Sequence, residues 1–120
     1  MGVTVYRWQN IEGRGPYAPG MSRAWIDEDH DERNPTIFDE FDVGRILRRV
    51  PKNLYLGCAF LSPEQANNWF SAAEQMRLWQ LGYQFVKFEA DRVLARSERQ
   101  ALIGNARPFG EAAIPIRKAG

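Results

Sequence analysis

The chain is short of several things. It has one cysteine, Cys58, in 120 residues, so no disulfide can close within it. It has one histidine, His30, so no multi-histidine zinc site can form within one copy. It has no excess of charge of either sign. Sixteen basic against fifteen acidic residues leave a net charge of +1, which is no electrostatic footprint for general nucleic-acid binding. No apolar run approaches the ~20 residues that a membrane-spanning helix needs. The opening "MGVTVYRWQNIEG" lacks the basic start and long apolar stretch of a signal peptide. There is no internal repeat and no low-complexity tract. Together with the free thiol, these absences point to a soluble domain of a reducing cytoplasm, with no membrane partner.

Apolar and aromatic residues are plentiful. Hydrophobic residues make up 44% of the chain, with four Trp, seven Phe and four Tyr. Such a composition buries a core and argues against disorder. At 120 residues, the size prior gives a single domain, 1–120.

"VTVYRWQ", residues 3–9, is β-branched and aromatic and reads as a strand. Alternation puts Val3, Val5 and Arg7 on one face and Thr4, Tyr6 and Trp8 on the other. Glycine and proline breaks then mark an irregular loop through residue 35, which Trp25 and Ile26 anchor to the core. Asn34 and Pro35 suit a helix start, and "TIFDEFDVGRILRR" predicts one helix ending before Pro51. The run "LYLGCAFL", residues 54–61, reads as a buried central strand.

Next come two helical starts. Ser62, Pro63 and Gln65 form one capping signal, and Ser71 with Glu74 forms a second. Ala66, Trp69 and Phe70 share a face of the first helix. Ala72, Met76 and Trp79 share a face of the next; the spacing assigns Trp69, Phe70, Met76 and Trp79 to the core, and any member left exposed would anchor a partner. Gly82 stops that helix. Residues 83–90 and 100–104 read as strands, and "AAIPI" reads as a last edge strand, which Pro115 suits. The fold class is therefore α+β: a small, mostly antiparallel sheet with a helical hairpin and one further helix packed against it.

Candidate sites follow from residue type. In "DEDHDER", residues 27–33, the alternation of Asp27, Asp29 and Asp31 begins like a calcium loop. The sixth position is Glu32 where glycine is required, and the twelfth is Phe38 where glutamate is required, so no metal is expected. The run is a solvated acidic loop, and Asp27, Asp29, Asp31 and Glu32 are the residues that would meet a basic partner. "GRGPY", residues 13–17, reads as a turn, because no Lys-Ser/Thr follows it to complete a phosphate loop. Cys58 in its apolar strand reads as packing. Tyr6, Arg7, Arg14, Arg23 and Arg107 leave two readings. Arg7, set on a sheet face, wants a carboxylate or a phosphate. The set is either paired with some of the 15 acids or, at Tyr6, Arg7 and Arg14, lines a nucleotide or phosphate pocket.

"VYRWQNIEGRGPY", "AFLSPEQANNWF" and "LGYQFVKFEAD" resemble a family of short phage and prophage proteins. Its pattern is an N-terminal "YR", a "GxGPY" turn, a "Ser-x-Glu-Gln" helix start ending in "WF", and a glycine-aromatic step into a strand. The same order is distantly similar to small ADP-ribosyltransferase folds. That second resemblance implies Arg7 or Tyr6 as the dinucleotide holder and Ser62 at the pocket. The position of the late glutamate is taken by Gln100, with Glu98 close by. The resemblances imply a phage-encoded counter-defence protein in the cytoplasm of the bacterial host. It would bind a host immune component, such as a CRISPR effector or another protein or ribonucleoprotein complex, or a nucleotide signal, without a cofactor. The alternative they imply is an ADP-ribosyltransferase using NAD, with Arg7, Ser62 and Glu98 as its catalytic residues. An accessory virion protein, built as a homo-oligomer, is the third reading.

Overall fold

The computed structural model describes residues 2–17, 22–112 and 114–115. In chain order its elements are β1 (Val3–Gln9), a 3₁₀ turn (Ser22–Ala24), α1 (His30–Arg33), α2 (Ile37–Glu40), α3 (Val43–Leu47), β2 (Tyr55–Ala59), α4 (Pro63–Trp69), α5 (Ala72–Gln80), β3 (Gln84–Ala90), β4 (Arg92–Arg96), β5 (Ala101–Asn105), α6 (Phe109–Ala112) and β6 (Ile114–Pro115). This is α+β, with two three-stranded antiparallel sheets in the orders β1-β3-β6 and β2-β5-β4. A bridge between Tyr6 and Phe60, with N–H to carbonyl distances of 2.8 and 2.7 Å, joins them where β1 meets the end of β2. Among the described residues no helix is long and apolar enough to cross a membrane.

The period-2 pattern of β1 and β3 divides the core. Val5, Val86, Phe88 and Ala90 pack on one face with Ile103 and Phe109. Trp8, Tyr83 and Phe85 pack on the other with Trp25, Phe60, Trp69, Phe70 and Leu78. Both sets lie where alternation places them. Trp25 is wholly buried and Ile26 packs beside it, so they do anchor the long loop.

Three expectations change. The helix over 36–49 is two helices. Thr36 caps the first and Asp42 the second, each side chain accepting from the amide three residues on, and Phe41 between them is extended. Short polar side chains that bond their own backbone favour caps over helix interiors. Asn34 is not an N-cap; its amide donates to the Trp69 carbonyl at 2.8 Å. Secondly, β2 is an edge strand of its sheet, with Tyr55 49% and Leu56 39% exposed, and burial begins only at Ala59. Thirdly, Met76 and Trp79 are 65% and 64% exposed. The inward face of α5 carries Glu74, Gln75 and Leu78 instead. The last predicted strand is present as β6 at the β3 edge; Ala113 and Ile116 of "AAIPI" lie outside the described residues.

Candidate functional site

β1 delivers Arg7 to the floor of a cleft between the two sheets. The cleft has a volume of about 630 Å³, within the range of small-molecule sites. Its other walls are the 12–17 loop, the exposed part of β2, the end of α4, Gln100 at the start of β5, and Phe109. A second cavity of about 270 Å³ lies beside it, and Tyr17, Cys58, Trp69 and Gln100 line both.

Arg7 is 7% exposed. Its Nε donates to Gln9 Oε1 at 2.9 Å, Nη1 to the Cys58 carbonyl at 2.8 Å and Nη2 to the Gly13 carbonyl at 3.0 Å. The guanidinium lies over the Phe109 ring, 4.7 Å from its centre. Gly57 and Gly15 press on it closely; a Cβ at Gly57 would stand 2.9 Å from Nη1 and 2.7 Å from the Phe109 ring. Every partner is a neutral acceptor. Among the described residues no carboxylate pairs with Arg7. Burial lowers its pKa to about 10, so it stays charged at neutral pH. Three of its five N–H groups make these bonds, and the other two find no acceptor among the described residues. A buried cation without a counter-ion costs several kcal/mol. An anion in the cleft would offset that cost.

The 12–17 loop is built around Asn10. Its Oδ1 accepts from the amides of Glu12 and Arg14 at 3.0 and 2.9 Å, while the amides of Asn10 and Gly13 are bonded within the turn. Gly13 takes φ +86°, which glycine adopts freely, and lies against the Gly110 backbone. "GRGPY" is therefore a turn. The Gly13 and Arg14 amides are spent internally, and Gly13 contributes a carbonyl to Arg7.

A polar chain with a buried inner end backs the cleft. Trp69 Nε1 donates to the Tyr17 hydroxyl at 2.6 Å, and that hydroxyl lies 2.7 Å from His30 Nε2. His30 Nδ1 lies 2.7 Å from Glu74 Oε2. Trp69 Nε1–H donates to the Tyr17 oxygen, and His30 Nδ1–H donates to the Glu74 carboxylate, so the histidine joins the hydroxyl to the acid. His30 is 1% exposed, ringed by Tyr17, Trp25, Trp69 and Phe70 with ring centres 5.2–6.3 Å away. Burial raises the Tyr17 hydroxyl well above the ordinary phenol value, which keeps it a neutral donor. Burial also raises the Cys58 thiol, the opposite of what a nucleophile needs.

The sequence-predicted residues divide. Arg7 and Arg14 line the cleft; Arg14 is exposed and 3.6 Å from Glu12. Tyr6 points the other way and stacks on Phe85. Arg23 and Arg107 are exposed and line neither cavity. Ser62 Oγ caps α4 by accepting from Gln65, and Glu98 is exposed; neither lines the cleft. Gln100, in place of a glutamate, does. The acidic run splits too. Asp27 turns inward, accepting from Ser71 Oγ and Arg77 Nη1, both at 2.6 Å. Asp29, Asp31 and Glu32 are exposed, with Asp29 3.1 Å from Arg33. Sequence reasoning missed Tyr17, His30 and Glu74 as one unit, because their links cross 13 and 44 residues.

No curated protein and no solved structure matches this chain significantly. Residues 1–107 match the family model described as bacteriophage T4 Y00F protein. The match runs through β1, the cleft loop and β5 and takes in the lining of both cavities except Pro108 and Phe109. The chain belongs to the bacteriophage T4 Y00F protein family, a family of phage proteins.

Proposed function

We propose that this phage protein binds a nucleotide in the cleft, with Arg7 taking a phosphate, and serves counter-defence by sequestering a nucleotide signal of host immunity. The observation that carries the binding reading is Arg7 itself: buried, charged and free of any described carboxylate, on the floor of an open cleft. A planar guanidinium with two spare N–H groups suits a phosphate fork. Tyr17, Tyr55, Phe60 and Trp69 give a base apolar and aromatic surface. The phage family supports the setting in the host cytoplasm. Binding fits better than ADP-ribosyl transfer, because the cleft presents the amide of Gln100 where charge stabilisation of a ribose cation would call for a carboxylate, and Glu98 lies outside its lining.

The test is calorimetric titration of the purified protein with mono-, di- and cyclic dinucleotides and NAD, repeated on Arg7→Lys. The expected result is saturable binding by at least one nucleotide, weakened tenfold or more in the lysine variant, which keeps charge but loses the fork. Absence of binding across the panel, or equal binding by Arg7→Lys, overturns the reading. A second reading has a host protein as partner, and the exposed Asp29, Asp31 and Glu32 favour it. For that reading, Asp29→Lys with Asp31→Lys would abolish capture of a defined basic partner.

A further inference from the structure

Gln100 is 2% exposed and lines both cavities. Its Nε2 donates to the Pro35 carbonyl at 3.3 Å and to Glu40 Oε1 at 2.8 Å. A proline carbonyl and a carboxylate accept only, so the amide orientation is fixed: nitrogen toward α2, oxygen away from it. Both amide protons are then used. No donor among the described residues reaches Oε1, and no buried side-chain nitrogen or oxygen among them lacks a partner. The oxygen therefore keeps a small exposed area, and Gln100 lines both cavities.

We infer that Gln100 Oε1 reads an N–H donor on the ligand, so the cleft selects a nucleotide whose base carries an amino group. This rests on the nucleotide reading above. A buried acceptor held in one orientation discriminates because a ligand without the donor strips water from it and gives nothing back. The smaller cavity also suits a flat ring. Pro35, Ile37, Phe38 and Trp69 give it apolar walls beside the amide, and Asp31, Asn34 and Thr36 join the lining. Arg7 lines the larger cavity only. The two ends of the site thus differ in chemistry: a cation for phosphate, and hydrogen-bond acceptors, Gln100 Oε1 and the Asp31 carboxylate, beside apolar walls for an amino-bearing base.

The probes are adenosine 5′-diphosphate and its 6-deamino analogue, purine riboside 5′-diphosphate, titrated into the wild type and Gln100→Met. The wild type should bind the amino form about tenfold more tightly, the factor that one net hydrogen bond supplies. Gln100→Met should bind both alike, while inorganic pyrophosphate binds the variant and the wild type equally. Equal affinity of the wild type for the two nucleotides overturns this inference and leaves the anion reading standing. Failure of both nucleotides to bind overturns it as well, and extends to the anion reading only if the wider panel is also blank. Should Gln100→Met fail to fold, the wild-type ratio alone decides.

Discussion

His30 Nδ1 sits 2.7 Å from Glu74 Oε2, and neither side chain reaches solvent. Glu74 does more than hold the histidine. Its Oε2 also accepts from the Asp27 amide at 2.9 Å, and Oε1 accepts from the Ser71 amide at 2.8 Å and from Arg33 at 3.3 Å. One carboxylate thus closes the capping box of α5, ties down the loop before α1 and fixes the proton position on His30. Through His30 and Tyr17 it sets one wall of the cleft.

Glu74→Gln should therefore be among the most damaging single substitutions. An amide offers one accepting oxygen where four donors converge, and turns its own N–H₂ toward some of them. Loss of a buried charged partner costs roughly 3–5 kcal/mol. Urea denaturation should show the midpoint fall with the slope unchanged, as expected when stability changes and the unfolded state does not.

Asp27 carries a pH dependence. Its carboxyl is held below the ordinary carboxylate range, first by the Ser71 hydroxyl and then by Arg77. With a lowered folded value, the unfolded chain takes up the proton first as the medium becomes acid. The contribution is thus fully present above the ordinary carboxylate range and is lost as pH falls through it toward the lowered value. Urea midpoints of the wild type should drop over that window, and the Asp27→Asn variant should drop less. Parallel curves would assign the acid loss to other groups.

Gly57 tests the packing around Arg7. A methyl there meets the Phe109 ring at 2.7 Å and the guanidinium at 2.9 Å, both tighter than side chains tolerate. Gly57→Ala should cost about 1–3 kcal/mol, as other overpacked sites do. It should also weaken nucleotide binding, because the cation is displaced from its three carbonyl and amide acceptors. Gly44→Ala is the control: nothing stands within 4 Å of its Cβ, and a helical alanine should stabilise by about 0.5–1 kcal/mol.

Elements set by local chemistry are legible in the sequence. β1 and β3 show their period-2 alternation, Ser71 and Glu74 show their capping box, and each occurs as read. The Ser62 signal is nearly so: Ser62 caps as expected, while Gln65 reaches back to the Leu61 amide. What depends on distant partners is not legible. His30 stands among acidic neighbours yet is buried, because its ligating groups come from Tyr17 and Glu74 and its cage from four aromatic rings elsewhere in the chain. β4, "RVLAR", is flanked by charge and was not visible as a strand; its pairing with β5 defines it. For the site, the interest of Arg7 was readable from its place on a sheet face. Its lack of a carboxylate and the accessible oxygen of Gln100 are facts of tertiary packing.

The exposed face of α5 shows how hydrophobic spacing misleads. Ala72, Met76 and Trp79 have the period of a core stripe, yet the buried positions are Glu74, Gln75 and Leu78. Glu74 wins an interior position because four donors meet its carboxylate, and Gln75 because its Nε2 reaches Asn67 Oδ1 and the Phe70 carbonyl at 3.2 and 3.0 Å. Polar groups that are fully bonded can occupy a core, and once they do, the opposite face is left with the large apolar side chains. Trp79→Ser with Met76→Gln should then change stability by no more than about 0.5 kcal/mol per site, as surface substitutions do. Leu78→Ala should cost about 2–5 kcal/mol, because Leu78 is 0% exposed within the aromatic core. Urea midpoints for the two variants decide between the faces. A large loss from the Trp79 and Met76 pair, with little from Leu78, would mean that α5 is rotated about its axis relative to this description.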